Sequence, residues 1–574
     1  MLSSLSCHDV TPRTRRPFHL VWSTVAVLFA AGGWWPTPAS AQAPVAADRP
    51  VDLWRLAQQQ SHVHRFATLF TAHDVQERLA TPEGLDEAVR WCKEAGITHV
   101  FLEVFRSRVW ADRDTLVRAK KRFQKEGFVV GGGVTTTFVG KRSTGWNLIS
   151  CYTDKPTQET LEKIFRYAAS LFDVIMIDDF WFTDCQCEEC RRAKGDRSWS
   201  EYRLELMNRL SRDRVIGPAK AVNPRAELII KFPQWYERFH ERGYDMARQP
   251  KLFDWTWIGT ETRDPDNARW GMLPQYGAYW ISQWTRAVSG RKFAGGWFDP
   301  LGTTPKTYVE QARQTILGQC PESLLFCYGA LHRDHGPEDL AAFRAEMPKL
   351  LELAAFVHGE RPRGVASFKP PNSDAGNDAY LFNFLGMTGI PLTAGGAFPE
   401  KVPSLLLTEH ALAEPNLTQK IDQALADHTV LLVTSNLLQR LPEPLRDRLR
   451  ASRSVHVLTL PAEKKSRYGV LASIRQLPER PQEELDGLRR PLLEPLGVQF
   501  SAPGNVSLYL FGDKKVVVEN FRDEPARVRV ALKDGRRLHL ALVLPPGAQV
   551  QTEVRGSDSW LVLPARSLVA LTAQ

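Results

Sequence analysis

Between Arg65 and Glu360 the chain switches repeatedly between two hydrophobic periods, and this constrains its fold more than any other feature. Eight short runs are almost continuously apolar: RFATLF (65–70), THVFLEVF (98–105), FVVGGGVTT (128–136), DVIMIDDF (173–180), AELIIKF (226–232), FDWTWIG (253–259), KFAGGWF (292–298) and SLLFCYG (323–329). Strands covered on both faces read this way. Between them, in stretches such as PEGLDEAVRWCKEAG and RDTLVRAKKRFQKEG, apolar residues recur at three and four, and a glycine often closes the run. The stretch 260–291 is long, aromatic and irregular, with room for one short helix. Eight strand–helix alternations predict an α/β chain built on a (β/α)8 TIM barrel, over about residues 60–360. The rival is a doubly wound open sheet. It is disfavoured because no glycine-rich phosphate fingerprint follows the first strand.

The rest of the chain changes character twice. Residues 361–378 (RPRGVASFKPPNSDAGND) are rich in Pro, Gly, Asn and Asp and read as a linker. Runs such as DAYLFNFLG, SLLLTEH and TVLLVTSNLL then alternate with shorter helical pieces, predicting a small α/β domain over 379–500. From about 505 to 574 short alternating runs parted by turns predict a C-terminal β-sandwich. With 574 residues there is ample chain for three such units. At the N-terminus, Arg13, Arg15 and Arg16 precede an apolar run from Phe18 to Trp35, and Ala39-Ser40-Ala41 follows it. That is the layout of a cleavable signal peptide over 1–41, so a periplasmic or secreted protein is expected, with no stable membrane insertion after cleavage. The net charge of +9 is scattered rather than clustered, which argues against a nucleic-acid partner.

In a barrel of this kind the side chains at the C-terminal ends of the strands share one pocket. Reading those ends gives Glu103 and Arg106 after the second strand, Asp178 and Asp179 after the fourth, and Lys231 on the fifth. Glu261 follows the sixth strand, Asp299 the seventh, and His332 the eighth. Several acids converging on one pocket suit hydrolysis of a glycosidic bond, in which one carboxylic acid protonates the leaving oxygen and another carboxylate attacks or activates water. Crowded carboxylates also separate in pKa, so one is expected to rise into the range of a useful acid. Residues 178 and 179 would point to opposite faces of an ideal strand, so only one is expected in the pocket unless the strand has already turned. The candidate catalytic residues are therefore Asp179, Asp178, Glu261 and Asp299. Glu103, Arg106, Lys231 and His332 are candidates to hold substrate hydroxyls. Trp235, Trp257 and Trp297 stand out among the aromatics of residues 235–297, which include Trp270, Trp280 and Trp284, as faces on which a sugar ring could stack.

Directly behind Asp179 comes C-x-C-x2-C, formed by Cys185, Cys187 and Cys190, and Cys151 follows the third strand. Four thiolates suit a closed, structural zinc site; in an exported protein disulfide pairing is the alternative.

The acidic end of the fourth strand, the C-x-C-x2-C cluster and a cysteine from the preceding βα loop together resemble the family 42 glycoside hydrolases. These are β-galactosidase-type barrel glycosidases with an amidotransferase-like second domain. The resemblance implies a barrel, an α/β domain through which chains associate, a small β domain and zinc on Cys151, Cys185, Cys187 and Cys190. The acids depart from that family. Its Asn-Glu pair is replaced here by Asp178-Asp179, and its nucleophilic glutamate after the seventh strand by the shorter Asp299. Glu261 has no role in that scheme, whereas a pairing of acids after strands four and six resembles the α-galactosidase-like clan. The expectation is an exported glycoside hydrolase acting on a poly- or oligosaccharide, with a homo-oligomer formed through the α/β domain. The alternative is a glycan-binding protein on a barrel that has lost its chemistry.

Overall fold

The computed structural model describes residues 51–574 apart from 270, 272, 462–464, 467, 468 and 557. The expected signal peptide and Trp270 lie outside the described residues. Eight parallel strands close on themselves: β1 (Arg65–Phe70), β2 (His99–Arg106), β3 (Val129–Thr135), β4 (Val174–Ile177), β5 (Glu227–Phe232), β6 (Trp255–Gly259), β7 (Phe293–Phe298) and β8 (Glu322–Leu325). Each pairs with the next, and β1 pairs with both β2 and β8, so the cylinder has no free edge. Helices lie between the strands, and the architecture is a TIM barrel.

The helices begin where local chemistry says they should. Asp112 and Asp154 cap Arg113–Lys125 and Lys155–Ala169 through their side chains, and Thr81, followed by Pro82, caps Pro82–Glu94. Each supplies an acceptor to an N–H that the first turn leaves without a partner. The long stretch after β4 is interrupted. Helix Trp199–Leu210 passes through one turn of π-helix, Ser211–Ile216, before resuming at Gly217. There the buried Ser211 hydroxyl accepts the indole N–H of Trp181 at 3.0 Å.

The barrel interior is packed with Ala67, Leu69, Phe101, Met176, Ile229, Trp257, Trp297 and Leu324. The glycines of β3 and β7 make room for the large members. A Cβ on Gly131 would lie 2.8 Å from the Phe101 ring, and one on Gly295 would lie 2.5 Å from the Trp257 indole.

Beyond the barrel the boundaries differ from expectation. Val365–Phe368, inside the stretch read as a linker, is an inner strand of a five-stranded parallel sheet. It pairs with Leu392–Gly395 on one side and Ser404–Leu407 on the other. Four residues, three of them apolar, among prolines and glycines leave too short a pattern to stand out. The DAYLFNFLG run contains a helix, Leu381–Gly386, rather than a strand. The irregular aromatic stretch contains a 14-residue helix, Tyr276–Ser289, longer than expected and buried along most of its length. Two antiparallel sheets complete the chain, of five and four strands; the larger takes its edge strand, Pro362–Arg363, from the stretch read as a linker, and the first strand of the smaller begins at Val498. Among the described residues no helix is long and apolar enough to cross a membrane.

Candidate active site

Five acids and three cations meet at the C-terminal end of the barrel. Strand β4 ends at Ile177, one residue before Asp178. The chain has therefore already turned, and Asp178 and Asp179 both face inward instead of alternating. Both approach the ammonium of Lys231 on β5, Asp179 Oδ2 at 2.9 Å and Asp178 Oδ1 at 3.9 Å. The same ammonium donates to Glu261 Oε1 at 3.0 Å and lies 4.4 Å from the centre of the Trp297 ring. Lys231 thus bridges acids delivered by β4 and β6.

On the other flank, Arg106 forms a fork with Glu103 at 2.8 and 2.9 Å and reaches Asp178 Oδ2 at 2.9 Å. Thr135, at the end of β3, donates a bond shared between Glu103 and Asp178. Glu103 also accepts the backbone N–H of Ala72 at 3.0 Å. Beyond Glu261, Arg263 grips Asp299 through two bonds of 3.1 and 2.6 Å, and the N–H of Leu301 adds a third at 3.0 Å. The charges of Arg263 and Asp299 both act on Glu261.

If every group were ionised, the acids would outnumber the cations in a nearly solvent-free space, so protons are retained. Burial, together with the Asp178 and Glu261 charges, pushes Asp179 up to about 7 against the pull of Lys231. Burial and Asp299 raise Glu261, with Lys231 opposing. Burial also raises Glu103 despite Arg106 and Thr135. For Asp178 burial is again the largest influence, but Lys231 and Arg106 outweigh it and hold this carboxyl below its ordinary range. Burial disfavours the Lys231 ammonium, yet Asp179, Glu261 and Asp178 keep it protonated, above its usual value. The set is graded in access as well. The Asp179 side chain is 18% exposed, against 3% for Glu261 and 1% for Lys231. Glu261 Oε1 is fixed by Lys231, while Oε2 is buried and has no hydrogen-bond partner among the described residues. It folds back over Gly259, where a Cβ would lie 2.4 Å away.

The aromatic candidates separate into two groups. Trp235 sits at the rim in a chain of rings: Trp146–Phe180 at 5.5 Å, Trp146–Phe182 at 6.1 Å and Phe182–Trp235 at 5.3 Å. Trp146, Phe180 and Trp235 are half-buried. Tyr244, packed against Phe182 and Trp235, donates its hydroxyl to the Asp179 carbonyl at 2.6 Å and ties this chain to the acid. Trp257 and Trp297, in contrast, are interior barrel residues, since successive strand residues alternate and these two point inward. Trp280 and Trp284 belong to the buried helix, and their indole N–H groups donate to Ser367 Oγ and the Lys369 carbonyl of the second sheet. His332 is not brought to the site. It caps a short helix after β8, with its ring 5.5 Å from Trp91 and 4.3 Å from Tyr328.

Thr135, Arg263 and Tyr244 were not singled out from the sequence. Arg263 stands two residues past Glu261 in a polar loop, which was a usable signal. Thr135 is one of three successive threonines, and Tyr244 lies far from any strand end.

The four cysteines converge next to this rim. Cys151, Cys185, Cys187 and Cys190 place their sulfurs within 4.8 Å of one another. The contacts among Cys151, Cys187 and Cys190 are 3.5, 3.6 and 3.7 Å, and all four thiols are free of disulfides. A tetrahedron with metal–sulfur bonds of about 2.3 Å has edges of about 3.8 Å, so this donor set fits a four-thiolate metal. The cluster joins the loop after β3 to the segment after β4. Asp184 reinforces the joint, accepting Ser143 Oγ at 2.5 Å and the Trp146 N–H at 2.8 Å.

A family model described as probable glycosyl hydrolase, catalytic domain, matches residues 52–345, and one described as probable glycosyl hydrolase, C-terminal domain, matches residues 497–545. An uncharacterized protein of Saccharolobus solfataricus is 26% identical over 406 residues, covering 64% of this chain and 65% of the relative's length. Among solved structures, the GH5_18 protein of Bifidobacterium longum aligns with a TM-score of 0.41 at 10% identity, covering 63% of this chain and 95% of that one. The exo-β-1,4-mannosidase of an Opitutaceae bacterium aligns with a TM-score of 0.46 at 11% identity, covering 67% and 79%. With its catalytic-domain match extending over half of its length, the chain belongs to the family of probable glycosyl hydrolases.

Proposed function

We propose that the protein cleaves a glycosidic bond in a poly- or oligosaccharide with Asp179 as acid/base and Glu261 as nucleophile, retaining the anomeric configuration. The observation that carries this reading is the Lys231 bridge. Asp179 Oδ2 and Glu261 Oε1 both contact one nitrogen, so they lie no further apart than about 6 Å. Retaining enzymes hold their carboxyls about 5–5.5 Å apart, and inverting enzymes need at least about 6.5 Å to admit water.

Protonated Asp179, the accessible member of the pair, donates to the leaving oxygen while Glu261 Oε2 bonds to the anomeric carbon. The C–O bond breaks and a glycosyl ester forms. Asp179, now a carboxylate, takes a proton from water, which attacks the same carbon and frees Glu261. Lys231 stabilises whichever of the two carries charge. Asp178, kept ionised by Arg106, holds Lys231 in place, and Asp299 orients Arg263 behind Glu261.

The family 42 likeness extends to the cysteine cluster, and we assign Cys151, Cys185, Cys187 and Cys190 a structural zinc. A four-thiolate ion leaves no open position for catalysis, so it would brace the rim loops. We further propose that the N-terminal segment acts as a leader that sends the mature protein to the periplasm or outside the cell, and that the α/β sheet is the surface for association between copies.

The test is hydrolysis of a glycan panel by wild type, Asp179→Asn and Glu261→Gln. Loss of about 10²–10⁴-fold in turnover is expected for each variant. A binding protein on a degenerate barrel would instead show affinity without turnover in wild type, and the substitutions would leave that affinity unchanged.

A further inference from the structure

Two arginines stand at the barrel mouth outside the carboxylate cluster. Arg108 follows Arg106 by two residues, which places its Cα within about 7 Å of the Arg106 Cα. Arg142 lies in the loop after β3. Their guanidinium carbons each lie 5.3 Å from the centre of one ring, that of Phe138, and both side chains are exposed. Among the described residues no carboxylate comes within ion-pair distance of either. The neighbouring cations behave differently: Lys141 pairs with Glu189 at 2.8 Å, and Arg106 pairs with Glu103 and Asp178. Ser107 and Arg108, with φ of 52° and 70°, are the two turn residues of a hairpin that pairs Arg106 with Val109 and Phe105 with Trp110, so Arg108 stands at a hairpin tip; Phe138 also has positive φ, 51°. The Ser107 hydroxyl meets Thr137 Oγ1 at 2.8 Å and locks the two loops together. Two like charges are thus pinned to one ring, at the mouth of a site, with no counter-charge.

We propose that Arg108 and Arg142 recognise an acidic group, a carboxylate or a sulfate, on the glycan that this site cleaves; this rests on the hydrolytic reading and narrows its substrate class. A guanidinium stacked on an aromatic face keeps its N–H edge free, and that planar edge matches a carboxylate or sulfate in a bidentate pair. Ring contact fixes the plane of each guanidinium and lowers the entropy lost on binding.

Calorimetric titration of the full-length protein tests this, with tetragalacturonate and a chondroitin sulfate tetrasaccharide as anionic probes and cellotetraose and xylotetraose as neutral ones. At least one anionic probe is expected to bind about tenfold more tightly than both neutral ones, and to weaken about tenfold from low to physiological salt. The double variant R108Q/R142Q, and R142Q alone in lesser degree, are expected to lose that preference with an unchanged melting temperature. A preference for only the uronate or only the sulfated probe identifies the group recognised. Equal or tighter binding of the neutral probes, no binding of either anionic one, or a preference that survives in the double variant overturns the proposal. Hydrolysis measured in parallel separates the two claims. Selective binding without turnover would leave the arginine site standing and remove the hydrolytic reading, while turnover of neutral glycans without selectivity would do the reverse.

Discussion

Asp179 carries the clearest consequence at the scale of single residues. Its carboxyl is pushed from the ordinary range up to about 7 by burial and by Asp178 and Glu261. As the acid it must be protonated, so kcat/KM is expected to fall as pH rises through about 7, and Asp179→Asn is expected to lose that limb of the profile. The same shift has a stability consequence of defined sign. The native state holds this proton more tightly than the unfolded chain, whose aspartates ionise near about 3.9. Stability is therefore lost between about pH 4 and pH 7 as the folded carboxyl is forced to ionise. Calorimetric melting of Asp179→Asn and wild type is expected to show the variant gaining relative to wild type from pH 4 to pH 8; a constant difference would contradict the shift. Most of these acids were legible in the sequence, because a barrel places strand ends in one pocket and Glu103, Asp178, Asp179, Lys231, Glu261 and Asp299 stand at such ends. Which of Asp178 and Asp179 would face inward was not legible, since that depended on a strand ending at Ile177, a boundary that periodicity does not fix to one residue. The placing of the tryptophans was not legible for a related reason. Trp257 fills the barrel interior, Trp280 and Trp284 lie on the buried helix, and Trp297 points inward against Lys231, because their facing is set by which strand and helix surfaces are buried.

At the scale of elements, glycines and loops hold the acids where they work. Glu261 Oε2 and the Gln234 backbone N, 2.4 and 2.9 Å away, crowd the space a Cβ on Gly259 would need. Gly259→Ala is expected to cost about 10²-fold in kcat/KM through displacement of that oxygen, with a change in melting temperature of only a few degrees. Steady-state kinetics beside thermal melting checks this, and an equal loss in both would make the effect structural. A zinc on the cysteine cluster would brace the loop after β3 and the segment after β4, which carry Trp146 and Phe180. One zinc per chain is expected by elemental analysis of protein purified without chelators. Its removal is expected to expose residues 136–190 to proteolysis before the rest of the barrel, read by mass spectrometry of the fragments. Element order through the barrel was legible because eight strands repeat one pattern. Val365–Phe368 was hidden because an inner strand of four residues carries less signal than the prolines and glycines around it.

At the scale of the whole molecule, a buried ionic network joins the barrel to the C-terminal sheets. Arg313, on the helix after β7, binds Glu346 at 2.5 and 2.8 Å and Glu519 of the five-stranded sheet at 3.3 Å. Gln314 adds a bond to Glu519 at 2.6 Å and accepts the Tyr509 hydroxyl at 2.9 Å. Burial pushes Glu519 up to about 8 even beside Arg313, so Arg313→Leu would strand chiefly the buried Glu346 carboxylate and is expected to cost about 3 kcal/mol in denaturant unfolding. A loss below about 1 kcal/mol would mean that the sheets are held by apolar packing alone. Such a network is not legible in a sequence, because its members are some 200 residues apart (Arg313 and Glu519 by 206) and each reads locally as a surface charge. The barrel is thus tied to the C-terminal sheets, while the chemistry at its mouth depends on two acids meeting across Lys231. Mass spectrometry of acid-quenched Asp179→Asn, turning over an activated glycoside, tests that meeting most directly. With departure of the leaving group no longer limiting and hydrolysis of the ester slowed, a glycosyl adduct should accumulate and map to Glu261. An adduct on Asp178 or Asp299, or turnover with no adduct and an inverted product, would contradict it.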